Sequence, residues 1–191
     1  ETIEAKIIIN ASGPWVNDVL SNYFGIKHKK KLRLVKGSHL ITKKLYEQDI
    51  AFTLQNDDKR IIFVIPYKKE FTLIGTTEIE VMDPNNPKIN NDEIDYLITS
   101  VNNFFVKKIS ANDIIDTFSG IRPLIDDFKE SSRISRDYYF DLNTDSNLSP
   151  LLNIYGGKLT TYRILSEKAL ISLKKFLPHM KKVSWTHNRK L

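Results

Sequence analysis

Apolar positions at the start of the chain change from strand to helical spacing. Residues 5–10 form a short apolar run typical of a buried strand, and Pro14 follows at a position that suits the start of a helix. Five large side chains then fall close to one helical face, namely Trp15, Val16, Val19, Leu20 and Tyr23. The pattern predicts a strand, a turn and a helix.

The middle of the chain is rich in residues that favour strands. Short β-rich runs lie at residues 32–35, 40–41, 61–67 and 71–74, and the last two are separated by only a tight Lys68-Lys69 connection. Such short, closely spaced runs favour an antiparallel or mixed sheet.

A helix is predicted at residues 90–105. Asn90 and Glu93 have the spacing of a capping box, in which each side chain accepts a hydrogen bond from the other residue's backbone N–H. The apolar residues recur at three and four positions, as expected for a core-facing stripe, and are Ile94, Leu97, Ile98, Val101, Phe104 and Phe105.

In the last third of the chain, the sequence predicts strands near residues 116–121, 134–141 and 151–155, followed by a helix at 160–176. The inner side of this helix would carry Leu165, Ala169, Leu173 and Phe176. Loops are expected at residues 83–91 and 143–150, which are rich in turn-forming residues. The fold class is therefore α/β (α+β) with two lobes, divided near residues 25 and 115 into segments 1–25, 26–115 and 116–191.

Composition excludes several classes of protein. Of the 191 residues, 41% are hydrophobic and 27% charged, which is typical of an ordinary globular protein. The absence of cysteine excludes disulfides and thiolate catalysis and fits a reducing compartment. The apolar runs are far shorter than the roughly 20 residues of a membrane span. The start at Glu1 resembles the inside of a fold and not a signal peptide.

The net charge of +6 favours anionic partners, although solvated lysines explain the same excess. Gly156, Gly157 and Lys158 lie between a predicted strand and helix, where glycine backbone, free N–H groups and a cation suit a bound anion. A plain glycine turn followed by a threonine cap explains these residues equally well. The spacing is not that of a P-loop, which disfavours ATP chemistry.

Two further residues could carry chemistry. Arg122 lies where a strand is expected to end at Pro123, and its guanidinium could grip a phosphate or carboxylate. On the residues alone, pairing with Asp126 or Asp127 is the better explanation. His39 could accept a proton near neutral pH, although a lone histidine is usually structural.

Other catalytic patterns are absent from the sequence. His28, His179 and His187 have no metal-ligand spacing, and no metal site is expected. Neither a Ser-His-Asp set nor a Gly-x-Gly-x-x-Gly fingerprint is found, which argues against a free-standing hydrolase or dinucleotide-binding unit.

Seven segments together resemble the flavin-linked, aerobic glycerol-3-phosphate dehydrogenases in order and spacing. They are residues 10–15, 33–39, 54–60, 65–67, 74–77, 119–124 and 156–163. The resemblance implies a fold like that of glycine oxidase and D-amino acid oxidase, in which an FAD-binding domain is interrupted by a substrate domain on a mixed or antiparallel sheet. Residues 1–25 and 116–191 would then belong to the FAD-binding domain, and 26–115 to the substrate domain.

The resemblance also implies an activity. Members of this family oxidise sn-glycerol 3-phosphate to dihydroxyacetone phosphate with FAD and pass the electrons to a membrane quinone. The expected location is the cytoplasm, with peripheral attachment to the inner face of the cytoplasmic membrane, and the expected assembly is a homodimer. Nucleic acid is not an expected partner.

Residue roles follow from the matching motifs. His39 resembles the residue that takes the substrate hydroxyl proton, and Arg122 the group that holds the substrate and stabilises its developing negative charge. Lys158 resembles a second cation near flavin and substrate. The residues expected near the cofactor are Gly13, Gly157, Lys158, Leu159, Thr160 and Thr161.

The chain also departs from the family. The family's N-terminal glycine fingerprint, an early substrate-binding arginine and the C-terminal helical domain are missing, so an internal fragment that is inactive alone is expected. Two alternatives stay open: a related flavin amine or amino-acid oxidase, and an inactive remnant of a truncated dehydrogenase gene.

Overall fold

The computed structural model describes residues 4–27, 29–126, 137–145, 148–179 and 185–189. In chain order the strands and α-helices are β1 (Ile8–Asn10), α1 (Val16–Phe24), β2 (Leu32–Lys43), β3 (Phe52–Gln55), β4 (Ile61–Tyr67), β5 (Phe71–Gly75), β6 (Ile79–Val81), α2 (Asn91–Phe104), β7 (Ile114–Ile125), β8 (Tyr138–Asn143), β9 (Leu151–Gly156) and α3 (Tyr162–Ser172). Short 3-10 helices lie at Gly13–Trp15, Ala111–Asp113, Leu159–Thr161, Lys174–Phe176 and Thr186–Asn188.

The chain divides into two compact units. Unit 1 comprises residues 1–33 and 123–191, and unit 2 comprises residues 34–122. The divisions predicted from the sequence lie near residues 25 and 115. Each division between the units instead falls within a twelve-residue strand, β2 or β7.

Unit 1 contains a mixed three-stranded sheet. β1 pairs in parallel with β9, and β8 pairs with β9 in antiparallel fashion. A small core of Leu152, Ala169 and Leu173 joins this sheet to α3, with Phe176 packed against it. The inner face predicted for the last helix is confirmed for Ala169, Leu173 and Phe176, although the two ends of the segment are 3-10 turns and α-helix is confined to α3.

The first strand and helix differ from the prediction. The strand begins at Ile8 instead of residue 5, and Ile9 is exposed because its side chain points to the opposite face from those of Ile8 and Asn10. In α1, Val16 and Leu20 are buried, but Tyr23 is 80% exposed. The helix runs for nine residues beside a three-residue strand, so its last turn extends beyond the strand it packs on.

Unit 2 contains a six-stranded sheet covered on one face by α2. Its order is β3-β4-β5-β2-β6, with antiparallel pairs along this path, and β7 pairs with β2. α2 has the predicted capping box between Asn90 and Glu93. Leu97 and Val101 lie in the core with Ile62, whereas the burial predicted for Phe104 is wrong because its side chain is exposed.

The two longest strands were predicted as shorter pieces. Residues 32–35 and 40–41 belong to one strand, β2, since the polar residues between them are buried with hydrogen-bonding partners. β7 likewise continues through Arg122 and Pro123, so the turn expected at this proline is wrong. The fixed φ of proline is compatible with extended backbone. β3 and β6 were not predicted.

Some predictions fall outside the described residues. The strand expected at 134–141 is described only from residue 138, where β8 begins, and residues 134–136 are not described. Asp127 and His28 are also outside the described ranges. Among the described residues, no helix is both long and apolar enough to span a membrane.

Candidate active site

His39 lies in the middle of β2, directly opposite Gly75 of β5. Its imidazole stacks on the ring of Phe118, with the centroids 4.6 Å apart and the planes 6° from parallel. Gly75 makes room for the ring, because a Cβ added there would lie 2.7 Å from His39 Cγ. The glycine and the phenylalanine together fix where the imidazole lies.

The surroundings of His39 favour its neutral form. Burial lowers the pKa of the imidazole below its ordinary value of 6.5, and the positive charge of Arg122 lowers this pKa further. The Nδ1 atom is buried and has no hydrogen-bond partner among the described residues. A neutral imidazole can accept a proton from a bound hydroxyl group.

The guanidinium of Arg122 lies against the backbone of Gly37. A Cβ added to Gly37 would lie 2.5 Å from Nη2 and 2.6 Å from Nη1 of Arg122, so only glycine leaves this space. Arg122 Nη2 donates a hydrogen bond to Thr76 Oγ1 at 2.9 Å, and Nη1 reaches the carbonyl oxygen of Thr77 at 3.5 Å. The loop after β5 thus orients the cation.

His39 and Arg122 act on the same face of the unit 2 sheet. Gly37 and His39 are two positions apart in β2 and therefore face the same side. Since the Arg122 guanidinium lies over Gly37, the structure brings the predicted base and the predicted substrate-holding cation together. Asp126, one of the two partners considered for Arg122, accepts a hydrogen bond from Arg33 at 2.7 Å.

A buried carboxylate lies on the other face of β2. Glu93 is 2% exposed, and its Oε1 accepts hydrogen bonds from Ser38 Oγ at 2.8 Å and Thr77 Oγ1 at 2.6 Å. Its Oε2 pairs with Lys36 Nζ at 2.8 Å and accepts from the backbone N–H of Asn90 at 2.9 Å. This Glu93 network supports β2 directly behind the site.

Unit 1 holds the residues predicted for the cofactor. Gly13 follows β1, and Gly157 follows β9, so both turns lie at the carboxyl ends of adjacent parallel strands. Ligands in open α/β sheets commonly bind at this edge. Both glycines have positive φ, +60° for Gly13 and +104° for Gly157, and a Cβ on Gly13 would meet nothing within 4 Å.

Lys158, Leu159 and Thr160 are exposed at the start of the last helix. Thr161 is the N-cap residue of α3 but makes no side-chain capping hydrogen bond, and its hydroxyl donates to Lys158 O at 3.1 Å. The threonine cap considered as the alternative explanation is therefore not formed. Leu159 is 87% exposed, which leaves apolar surface beside the glycine turn.

Three supporting residues were missed by the sequence reasoning. Thr76 was included only in the matching segment 74–77, although its hydroxyl accepts a hydrogen bond from Arg122. Phe118 carried no signal of its stacking on His39, since the contact joins residues far apart in the sequence. Glu93 was identified only as a helix cap. Its contacts with β2 could have been suspected from the strand itself, because Lys36 and Ser38 alternate with Gly37 and His39 and therefore share one face.

This fold and site define a flavin-dependent class of enzyme. The chain matches the DAO family, described as FAD dependent oxidoreductase, over residues 1–163, and it belongs to that family. FAD, which the resemblance implied, is the cofactor of this family.

Two curated relatives are similar over most of the chain. It is 45% identical over 172 residues to the aerobic glycerol-3-phosphate dehydrogenase of Escherichia coli (strain K12), covering 89% of this chain and 34% of the relative. It is 44% identical over 192 residues to the D-erythritol 1-phosphate dehydrogenase of Brucella abortus (strain 2308), covering 100% of this chain and 38% of the relative. The chain thus spans about a third of the length of these relatives.

Solved structures agree with the fold. The glycerol-3-phosphate dehydrogenase of Bacillus halodurans complexed with FAD has a TM-score of 0.76 at 32% identity, covering 93% of this chain and 34% of that one. The glycine oxidase of Bacillus cereus ATCC 14579 has a TM-score of 0.59 at 11% identity, covering 94% and 44%. The second match concerns the fold alone, and the predicted glycine oxidase-like α/β fold is confirmed.

Proposed function

We propose that this chain is part of an FAD-dependent glycerol-3-phosphate dehydrogenase that oxidises sn-glycerol 3-phosphate to dihydroxyacetone phosphate. The observation that carries the proposal is the imidazole of His39, whose pKa is lowered by burial and by Arg122, on the same face of the unit 2 sheet as the Arg122 guanidinium. A base that accepts a hydroxyl proton and a cation that holds an anionic substrate are what oxidation of a phosphorylated alcohol requires.

The residues present fit the proposed cofactor. Gly13 and Gly157 expose backbone without side chains at one edge of the parallel strand pair, and Leu159 adds exposed apolar surface there. We infer that FAD is held by these residues together with Lys158, Thr160 and Thr161, because free backbone N–H groups and a cation suit its anionic parts. Bound FAD would accept the hydride from the carbon that carries the hydroxyl group.

The chain's own residues would prepare the substrate. His39 takes the proton of the substrate hydroxyl as its C–H bond breaks, and stacking on Phe118 keeps the imidazole in place. Arg122, oriented by Thr76, holds the substrate and stabilises the negative charge that develops on its oxygen. Lys158 supplies a second cation for substrate and cofactor.

The proposal extends to the electron acceptor and location. We propose that electrons pass to a membrane quinone and that the enzyme is a cytoplasmic protein attached peripherally to the inner face of the cytoplasmic membrane. The net charge of +6 supports attraction to anionic lipid at that surface. A homodimer is the proposed assembly.

A second substrate is supported by one comparison. The relative from Brucella abortus is named for D-erythritol 1-phosphate, a longer polyol phosphate, at an identity close to that of the relative named for glycerol 3-phosphate. Both molecules combine a phosphate with hydroxyl groups, so the base and cations described above suit either one. An assay must therefore distinguish glycerol 3-phosphate from the longer D-erythritol 1-phosphate.

The test is an assay of the full-length gene product with an artificial electron acceptor. We expect a yellow protein with a flavin absorbance band that is bleached by glycerol 3-phosphate, and a smaller effect of D-erythritol 1-phosphate. Bleaching by an amino acid and not by either phosphate would contradict the proposal and favour an amine or amino-acid oxidase. A full-length product without flavin would favour the inactive remnant. The 191-residue chain assayed alone is expected to be inactive.

Substitution of Gly37 tests the position of the Arg122 guanidinium. We expect Gly37→Ala to lower kcat/KM for glycerol 3-phosphate by roughly 10 to 100-fold, because a charged hydrogen bond is worth about 1.5–3 kcal/mol. The added Cβ would lie 2.5 Å from Arg122 Nη2, so the guanidinium must move.

Gly120→Ala is the matched control for this substitution. A Cβ at Gly120 in β7 would meet nothing within 4 Å. We expect this variant to retain the unsubstituted kcat/KM. Equal activity of the two variants would mean that the position of the guanidinium does not matter.

A further inference from the structure

Glu93 lies on the face of β2 opposite to His39, yet two short routes connect it to the site. The first route passes through Thr77. The Thr77 hydroxyl donates to Glu93 Oε1 at 2.6 Å, while the carbonyl oxygen of the same residue is 3.5 Å from Arg122 Nη1. One residue therefore contacts the buried carboxylate with its side chain and the substrate-holding cation with its backbone.

The second route passes through Ser38, the residue before His39. Ser38 Oγ donates to Glu93 Oε1 at 2.8 Å and lies 2.8 Å from Ser119 Oγ in β7, three positions before Arg122. The backbone of Ser38 is also bonded to Thr77, because its N–H donates to Thr77 Oγ1 at 2.9 Å and its carbonyl accepts from Thr77 N at 3.2 Å. Both routes meet at a single oxygen of Glu93.

The Glu93 network is better developed than capping of a helix requires. A capping-box glutamate needs only its contact with the N-cap backbone, which here is the hydrogen bond from Asn90 N. Glu93 also pairs with Lys36, the charged group that faces it from β2. Burial raises the pKa of Glu93, but the hydrogen bonds from Lys36, Thr77, Asn90 N–H and Ser38 outweigh it, and the net pKa is lowered. The carboxylate is therefore a fixed charge and acceptor.

We propose that Glu93 is a positioning residue for the site: its buried carboxylate fixes residues 38 and 77 and thereby the side chains of His39 and Arg122. Buried, fully hydrogen-bonded networks restrict the conformations of the segments that they join. Side chains in β2 alternate between the two faces, so holding Lys36 and Ser38 at Glu93 directs Gly37 and His39 to the other face. This role goes beyond the proposed function and does not depend on the identity of the substrate.

The decisive variant is Thr77→Val in the full-length gene product. Valine has nearly the shape of threonine but no hydroxyl, so the variant removes the hydrogen bond from Thr77 to Glu93 and the acceptor of the Ser38 N–H, which together form this part of the network. The contacts of Glu93 with Lys36 and Asn90 stay in place. Glu93→Gln is the companion variant, which keeps the size of the side chain and removes its charge. Leu97→Ala is the control, because Leu97 is fully buried in the same helix and contributes apolar packing alone.

Two measurements distinguish positioning from a purely structural role. The first is the titration of His39 followed by NMR of isotope-labelled histidine, with the resonance assigned by its loss in His39→Asn. We expect the His39 pKa to move upward, toward its ordinary value, in Thr77→Val and Glu93→Gln, since the ring and the guanidinium lose their fixed arrangement. The second is kcat/KM, which we expect to fall on the order of 10 to 100-fold through misplacement of reacting groups.

The Leu97→Ala control shows the result expected for a residue that only stabilises the fold. Leu97→Ala is expected to lower thermal stability while the His39 titration and kcat/KM of the folded protein stay unchanged. If Thr77→Val behaves as Leu97→Ala does, Glu93 is a structural residue and the proposal is wrong, whether or not Glu93→Gln folds. The titration needs no substrate, so it is informative even if glycerol 3-phosphate is not oxidised.

Discussion

Replacing His39 with asparagine is expected to slow oxidation of glycerol 3-phosphate by about 10²–10⁴-fold, the usual loss when a general base is removed. Asparagine stays polar and fits beside Gly75, but it cannot accept a proton near neutral pH. The loss should appear in the rate of flavin reduction, measured by stopped-flow absorbance. Binding of the substrate, which we assign to Arg122, should change much less.

The pH dependence gives this prediction a second readout. The base must be neutral, so the unsubstituted enzyme should lose activity as pH falls through the His39 pKa, which burial and then Arg122 hold below 6.5. His39→Asn should lack this acidic limb. His179→Asn, at an exposed histidine of unit 1, is the control and should keep both the rate and the limb. An unchanged rate in His39→Asn would exclude His39 as the base.

The same shift predicts the pH dependence of stability. The folded pKa of His39 is lowered, so the unfolded chain binds more protons than the folded chain at pH values between the two pKa values. The free energy of unfolding should therefore decrease as pH falls below about 6.5, the ordinary pKa of the group, until the folded pKa is passed. His39→Asn should weaken this dependence.

Periodic apolar patterns predicted the elements that pack on one face. α2 and the paired strands β4 and β5 were located correctly, since alternating or helical spacing reports directly on the buried side. β2 was divided into two runs because Lys36 and Ser38 are polar, and single-sequence hydrophobicity cannot show that Glu93 satisfies them. Long-range pairing of polar groups overrides the local pattern here.

The site illustrates the same limit. The side-chain chemistry of His39 and Arg122 suggested a base and an anion-holding group. For each residue taken alone, however, a structural role was the better explanation. The family was identified from seven segments that match in order and spacing. The structure then showed which contacts hold these two side chains in place. Gly37 and Gly75 are informative only once the strands are paired, because each leaves space for a side chain on a neighbouring strand.

Replacing Arg122 with methionine is the second substitution for which we expect a large loss. kcat/KM for glycerol 3-phosphate should fall by about 10²–10³-fold, as on removal of a donor that stabilises developing negative charge. Methionine retains the apolar stem and removes the hydrogen bond to Thr76 Oγ1. In contrast to His39→Asn, the KM should rise as well, because Arg122 also holds the substrate before reaction.

The charge of Arg122 also acts on His39, so the two predictions are coupled. Without the guanidinium, the His39 pKa should rise, although burial still lowers it, and the acidic limb of activity should move to higher pH. Arg60→Met is the matched control, because Arg60 pairs with Asp58 and stacks on Tyr96, 3.8 Å from the ring centroid, within the same unit. If Arg122→Met kept both the KM and the acidic limb of the unsubstituted enzyme, Arg122 would neither hold the substrate nor tune the base. A shifted limb with an unchanged KM would instead restrict its role to His39.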